Sequence, residues 1–318
     1  MKLFLYEHLS AGGLGGAAPA SLLREGRTML AAVAADFARV PGVAVTTLLA
    51  DGLPALPSVR CVRDRATFLD LAGEADATLL IAPEFDGILE SLSRAVLAAG
   101  GTLIGSSPEA VALTADKWRT FQHWQRRGVP TPATALTCDE ATFPPPWVVK
   151  PRDGAGSQET FFVERRDDAI RGIVQPFVPG TPASVAFLVG PGQTLPLLPA
   201  TQTLSRDGRF SYEGGVVPLD AALHDRAQKL ALRAIAGIDG LRGYVGVDLV
   251  LGDSHDGSGD VAIEINPRVT TSYLGLQQMC ASNLADTWLR TLRGDDVRLT
   301  WRAGRVRFAA DGTWACAD

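Results

Sequence analysis

Three short apolar runs, LFLY (3–6), VAVTTLL (43–49) and ATLLIAP (77–83), punctuate the start of the chain, and stretches with helical spacing lie between them. Each run has the length of a strand, and the segments between are long enough for helices. Strands that alternate with helices are joined by crossovers, which set them parallel with helices on both faces. Residues 1–110 are therefore expected to form a Rossmann-like parallel α/β layer, with an Ala-rich helix around 20–39 and a last strand at TLIGS (102–106).

From about residue 111 the texture changes. ALTADKWRTFQHWQRRG (112–128) has helical spacing and stops at Gly128. A proline-rich passage follows and leads into WVVKP, a short strand; DGAGSQ reads as a turn, and ETFFVE and GIVQPFVPG read as strands. This is the pattern of a small α+β unit over 111–185. SVAFLVG, LPLLPATQTL, GYVGVDLVL and DVAIEIN then describe a larger mixed sheet over 186–318. A polar hairpin loop is expected at 253–260, and a strand pair after residue 300.

Composition removes several functional classes. Of the 318 residues, 46% are hydrophobic and 20% charged, with a net charge of −5, an ordinary globular balance. Acids and bases are mixed along the chain without a basic stripe, which argues against nucleic acid as a partner. There is no apolar run of about 18 residues, so no membrane span is expected. The start, MKLFLYEHLSAGG, meets polar residues too early for a secretory signal. Cys61, Cys138, Cys280 and Cys316 are scattered without metal-ligand or disulfide spacing, and a reducing cytoplasm is the expected location. Only Lys2, Lys117, Lys150 and Lys229 are lysines among 30 basic residues. In so arginine-rich a chain, a compact point charge invites a question at each position.

Two strands carry acids where a buried strand should carry none. Along VAIEIN, period-2 geometry puts Ile263 and Ile265 on one face, with Glu264 and Asn266 on the other. In GYVGVDLVL, Val245, Val247 and Leu249 share a face and Asp248 takes the opposite one. A buried ionised carboxylate costs several kcal/mol unless paired or bound to a cation. Asp, Glu and Asn are oxygen ligands suited to Mg²⁺, which bridges to phosphates. The plain alternative is a salt-bridged strand pair and a turn at Asn266–Pro267.

Lys150 ends an apolar strand and runs straight into a Gly/Ser turn, whose backbone N–H groups can cradle phosphate while the lysine neutralises it. No GxxxxGK[ST] occurs, and the plain alternative is a hairpin beside a snorkelling lysine. VQPFVPG (174–180) is a strand end that could offer edge backbone groups to an adenine ring, or simply a strand end.

Taken together these segments resemble the ATP-grasp superfamily. The resemblance implies an α/β and α+β chain: an ATP-grasp fold preceded by a Rossmann-like parallel sheet domain (1–110), with a small ATP-grasp subdomain (111–185) and a large one (186–318). It implies ATP held by Lys117, Lys150, Gly154, Ala155, Gly156, Ser157, Gln175, Phe177 and Val178, and Mg²⁺ (or Mn²⁺) held by Asp248, Glu264 and Asn266. Lys117 sits in GSSPEAVALTADKWRT (105–120), similar to the family segment that delivers a second phosphate lysine. Gln175 departs from a position that is often acidic, and no ribose-binding acid is evident near Thr181 and Ser184. More narrowly, EINPRVTTSYLGL, GYVGVDLVL, IAPEFDGIL and the opening EHLSAGG resemble the tyramine–L-glutamate ligase group of methanofuran-type cofactor assembly. A homodimer is compatible with the superfamily.

The resemblance implies a two-step ligation. A carboxylate, glutamate's in the narrower group, takes the γ-phosphoryl of ATP, and an amine then displaces phosphate from the acyl phosphate. Arg268 is placed to stabilise the transferring group. Thr270, Thr271 and Ser272 could bind an amino-acid carboxylate. Glu84 and Asp86 follow a strand's carboxyl end, where open α/β sheets bind ligands. With Glu7 after the first strand, they could hold an ammonium group. Tyr212 or Glu213 could reach in from 211–218. Each of these substrate residues has an ordinary surface reading beside it, and the histidines form no cluster.

Rival readings stay open at this point. Gly13, Gly15 and Ala18 nominally fit GxGxxA, the mark of an NAD-dependent oxidoreductase, but EHLSAG separates them from the strand. A non-catalytic binding protein, a D-alanine-ligase-like enzyme and a purine-pathway carboxylate ligase share much of the same frame.

Overall fold

A computed structural model describes residues 1–15, 19–154, 159–165 and 172–317. The first layer holds β1 (Lys2–Glu7), α1 (Ala20–Ala38), β2 (Ala44–Leu48), β3 (Arg60–Val62), α2 (Phe68–Glu74), β4 (Ala77–Ile81) and α3 (Ile88–Ala98). Its four strands are parallel in the order β3-β2-β1-β4. Strand alternation divides β1 between two cores. Leu3 and Leu5 pack on the α1 side with Leu30 and Phe37, whereas Phe4 and Tyr6 pack with Leu80, Leu89 and Val96. The expected strand at 102–106 is reduced to a single bridge, Thr78 to Leu103. Gly100 with φ +77° turns the chain into it, and Ser107 caps the next helix almost at once, leaving no length for a ladder. Between β1 and α1 lie twelve residues, so the Gly13–Gly15 stretch is not a strand-to-helix turn.

The helix expected over 112–128 is two helices, α4 (Pro108–Ala115) and α5 (Lys117–Arg127). Asp116 breaks the pattern. It takes extended φ/ψ, and its Oδ1 accepts from the N–H groups of Trp118 and Arg119 at 3.0 and 3.1 Å, an N-cap in the sense that short polar side chains favour. Arg152 grips the same carboxylate with two nitrogens. Lys117 thereby becomes the first residue of α5. Gly128 ends the helix at φ +63°. Trp124 is buried and donates to the Ala234 carbonyl at 2.8 Å, so α5 packs on the large sheet's core.

A three-stranded antiparallel sheet follows, β5 (Trp147–Lys150), β6 (Phe161–Val163) and β7 (Ile173–Pro176), in the order β6-β5-β7. Its small core is Ala135, Trp147, Val149, Val163 and Val174. The remaining elements are β8 (Thr181–Val189), β9 (Thr194–Pro196), β10 (Ala200–Thr201), β11 (Thr203–Leu204), β12 (Tyr212–Val217), α6 (Ala221–Ile235), β13 (Gly243–Leu251), β14 (Val261–Asn266), α7 (Tyr273–Met279), α8 (Leu284–Arg293), β15 (Arg305–Ala309) and β16 (Trp314–Ala317). β10-β8-β13-β14, with β9 beside β8, form the large sheet; β11-β12-β15-β16 form another. The single run expected at 195–204 is divided into β9, β10 and β11. Pro196 and Pro199 withhold the N–H groups a continuous ladder needs. β15 and β16 pair as the terminal hairpin.

α6 closes one face of the large sheet through Ala227, Leu230, Ala231 and Ala234 against Val185, Phe187, Val245 and Val247. The other major core is shared between the first layer and the C-terminal helices, with the Phe37 and Trp288 rings 5.7 Å apart. Asp36, buried in α1, accepts from Tyr273 Oη at 2.7 Å and from Gln277 Nε2 at 2.9 Å. That seam carries the first layer onto the site described next.

Candidate active site

A cleft of about 550 Å³ lies between the three-stranded sheet and the large sheet, a size suited to a small-molecule ligand. β13 and β14 form its base. Asp248 pairs directly with Glu264 and Gly246 with Asn266, so three oxygen-bearing side chains share the cleft face as alternation requires. One residue does not obey it. The ladder steps from Asp248–Glu264 to Leu249–Ala262, which leaves Ile263 as an extra, bulged residue. Ile263 lines the cleft beside Glu264 while Ile265 stays in the core, so the expected common face of the two isoleucines does not form.

Asp248 accepts from Gln202 Nε2 at 2.8 Å and Asn266 Nδ2 at 3.0 Å. Burial, with Glu264 directly opposite, pushes its carboxyl well up from the usual range. Burial also pushes Glu264 upward, but Lys117 and then Lys150 outweigh it and hold that carboxyl below its ordinary value. Lys117 Nζ is 3.3 Å from Glu264 and donates to the Gly154 carbonyl at 2.6 Å. Lys150 is 7% exposed and makes no ion pair among the described residues; burial pulls its amine down to about 8. Two carboxylates facing each other across a ladder repel. Two carboxylates and an amide beside phosphate-seeking lysines are the donor set of a Mg²⁺ that keeps waters and shares phosphate oxygens. The residues thus fit such a cation, although among the described residues no group of three His, Cys, Asp or Glu gathers.

The opposite wall is apolar. Val148, Phe162, Phe177, Val178 and Phe210 line it, with Ile263 contributing from the base. Phe162 meets Phe177 edge-on at 5.2 Å, and Phe210 stacks on Phe177 at 6.2 Å. The Phe162 N–H donates to the Gly208 carbonyl at 2.8 Å, tying the 205–211 loop to the small sheet. Gln175 lines the cleft while its amide donates to Thr134 Oγ1 at 2.9 Å. Gly154 lines the cleft; Ala155, Gly156 and Ser157 lie outside the described residues, as does Ala18.

At the far end stands Arg268. Its Nη2 donates to Glu84 Oε2 at 3.0 Å and its Nε lies 2.9 Å from Oε1 without hydrogen-bond geometry, an ion pair between largely buried side chains. Burial opposes the charge on Arg268, but Glu84 outweighs it and holds the guanidinium protonated. Glu84 is therefore occupied by Arg268 and is not free to receive an ammonium group. Glu7 is also buried, closing its own loop by accepting from the N–H groups of Leu9 and Ser10 at 3.1 and 2.6 Å. It faces Gly26, where a Cβ would come within 2.6 Å of its carboxylate. Glu7, Glu84, Asp86 and Glu213 are absent from the cleft lining; Tyr212, Thr270, Thr271 and Ser272 belong to it. Asp86 and Glu213 are exposed. Burial pushes the Tyr212 phenol well up.

Other lining residues carry no mark in the sequence. Glu25 reaches in from α1 and accepts from Thr271 Oγ1. Gln202 holds Asp248 from the turn after β10. Arg206 and Phe210 arrive on a loop. Helical spacing reported Glu25 only as a polar position; the polar alternation TQT was the one available hint at Gln202.

Similarity to known proteins agrees with this geometry. Residues 114–272 match the model of an ATP-grasp domain, and residues 43–111 match that of a pre ATP-grasp 3 domain. The chain is 30% identical over 224 residues to the tyramine–L-glutamate ligase of Methanocaldococcus jannaschii, a match taking in 70% of this chain and 65% of that protein, just under two thirds of its length. It is 31% identical over 222 residues to the enzyme of the same name from Methanocaldococcus fervens, covering 70% of this chain and 68% of the relative. A crystal structure from Archaeoglobus fulgidus assigned to the ATP-grasp superfamily superposes with a TM-score of 0.77 at 27% identity, covering 97% of this chain and 92% of that one. With a cleft between two sheets, a lysine pair on one side and a carboxylate pair on the other, the chain belongs to the ATP-grasp family and groups within it with these ligases.

Proposed function

We propose that the protein is an ADP-forming ligase that joins a carboxylate, L-glutamate's, to a primary amine of the tyramine type. The observation that carries this is the cleft's polarity along one line. Lys117 and Lys150 face Asp248 and Glu264, and a guanidinium fixed by Glu84 stands where that line ends. The names of the relatives supply the substrate pair.

The apolar wall of Phe162, Phe177 and Phe210, together with Ile263 from β14, would take the adenine base, and the two lysines the phosphates. Asp248, Glu264 and Asn266 would hold Mg²⁺, which when bound neutralises phosphate oxygens. Arg268 would stabilise the negative charge of the transferring phosphoryl group. In the first step a substrate carboxylate oxygen bonds to the γ-phosphorus as the bond to ADP breaks. In the second, the amine nitrogen bonds to the acyl carbon, phosphate leaves, and the nitrogen loses a proton. The protein's share is positioning and charge neutralisation. We further propose a three-part division, with the first boundary at 110 and the second moved from the expected 185 to about 180, because β8 (Thr181–Val189) pairs along its whole length with β13 of the large sheet, and a place in methanofuran-type cofactor assembly.

The test is ADP and phosphate release from Mg-ATP with L-glutamate, using tyramine, tyrosine and D-alanine in turn, with the product weighed by mass spectrometry. A product of glutamate plus tyramine minus water is the expected result. Turnover only with another amine would move the substrate and keep the chemistry. Absence of ADP release with every pair would overturn the ligase reading.

A further inference from the structure

Beyond Arg268 the cleft ends in a corner of hydroxyl groups that hydrogen-bond to one another and to a carboxylate. Tyr244 Oη lies 3.3 Å from Thr270 Oγ1 and 3.0 Å from Ser272 Oγ, and those two oxygens are 2.9 Å apart. A hydroxyl has one proton to donate. Three hydroxyls within hydrogen-bond distance of one another can satisfy their protons among themselves, and each keeps acceptor lone pairs. Burial pushes the Tyr244 phenol up to about 12, so its proton stays in place. Thr271, inside the same turn, gives its proton to Glu25 Oε1. Thr270, Thr271, Ser272 and Glu25 line this end of the cleft and together offer it several acceptor oxygens. A carboxylate arriving here would compete with these internal bonds for a donor and would meet the charge of Glu25, which favours a cation over the carboxylate expected from the sequence.

The charges point the same way. Arg268 is the cation at this end; its Nη2 donates to Glu84, its Nη1 donates to the Val269 carbonyl, and Glu84 neutralises its charge. Among the described residues Glu25 makes no ion pair. A half-buried carboxylate beside several acceptor oxygens complements a positive group with several N–H donors. We propose that Glu25, Thr270, Thr271 and Ser272 form an ammonium subsite that holds the protonated amino group of a substrate. This deepens the ligase reading and rests on it for the identity of the ligand, since both an amino acid and a primary amine carry such a group. α1 supplies the carboxylate, so the first layer would take part in choosing the substrate.

Calorimetric titration of the intact chain with Mg²⁺ and a non-hydrolysable ATP analogue separates the two sources without requiring turnover. The probes are two pairs: L-glutamate against glutarate, and tyramine against its alcohol counterpart, 4-(2-hydroxyethyl)phenol. The expected result is that one ammonium-bearing member binds at least about tenfold more tightly than its uncharged counterpart, the size of a charge-assisted contact. Glu25→Gln should abolish that preference, and Glu25→Asp should keep part of it, with thermal unfolding confirming that each variant is folded. A preference within the glutamate pair assigns the subsite to the α-amino group; one within the tyramine pair assigns it to the nucleophile. If neither pair discriminates, or if discrimination survives Glu25→Gln, the subsite is overturned. A Glu25-dependent preference in a chain that releases no ADP would sustain the subsite and overturn the ligase reading instead.

Discussion

The lysine end and the Glu25 end of the cleft are built by different rules. At the lysine end, the two lysines and two carboxylates sit on regular structure: Lys150 closes β5, Lys117 opens α5, and Asp248 and Glu264 face each other across one ladder. At the Glu25 end the side chains come from α1, from the connection after β4 and from the turn between β14 and α7. Those segments meet because the first layer docks on the C-terminal helices through Phe37, Trp288 and the buried Asp36–Tyr273 bond. One end is a product of strand register, and the other of tertiary docking. The first should therefore tolerate disturbance of the first layer, and the second should not.

The largest effect separates chemistry from architecture. Glu264→Gln keeps the ladder and the side-chain volume but removes the charge that faces Lys117 and the proposed cation. ADP release should fall by about 10³-fold or more. A variant within about tenfold of the parent would end the metal assignment. Next comes Glu84→Gln, which acts from the first layer by releasing the guanidinium of Arg268. Turnover should fall by about 10²-fold with little change in the KM for ATP, and Glu84→Asp should recover part of it. An equal loss in kcat and in ATP affinity would mean that Glu84 matters only for folding, and the contrast between the two ends would lose its meaning.

The same contrast explains what could be read from the sequence. Alternation along GYVGVDLVL and VAIEIN was enough to bring Asp248, Glu264 and Asn266 to one face, and lysine scarcity drew attention to Lys117 and Lys150. The bulge at Ile263 escaped because a bulge is a relation between two strands, and no residue in VAIEIN marks it. The break at Asp116 was a local signal misread: an Asp before Lys-Trp-Arg is an N-cap, but helical spacing runs smoothly across it. Glu84 was found as a residue after a strand, yet its partner is 184 residues away and its role could not be inferred from position. Glu25 gave no signal. Its meaning depends on which turn α1 packs against.

A smaller effect tests the lysine end in the nucleotide-free protein. Burial lowers the Lys150 amine from an ordinary 10.5 to about 8. Below about pH 8 both folded and unfolded chains carry the proton, and the folded state bears the full penalty of a buried charge. As pH rises from about 8 toward 10.5, the unfolded chain holds a proton that the folded chain has released, so this group's contribution to stability increases. Urea unfolding at about pH 7.5 and about pH 9.5 should show a rise, relative to Lys150→Met, of about 1–3 kcal/mol. Mg-ATP should remove it, because bound phosphates favour the charged amine. A difference between parent and variant that does not change with pH would mean that Lys150 is paired in solution.

The smallest effect concerns the loop over the apolar wall. Phe210 holds a left-handed backbone, φ +54°, and stacks on Phe177, while its neighbour Arg209 lies 4.3 Å over the Phe161 ring. The loop thus reaches from the β11-β12-β15-β16 sheet to the small one across the lysine end, with no hydrogen bond or ring contact to the Glu25 end among the described residues. An aromatic pair of this kind contributes about 0.5–1.5 kcal/mol, which corresponds to a rise of roughly two- to tenfold in the KM for ATP in Phe210→Ala. The KM for glutamate and for the amine should not move. If all three rise together, the loop closes the cleft as a whole, and the two ends are coupled through it rather than assembled independently.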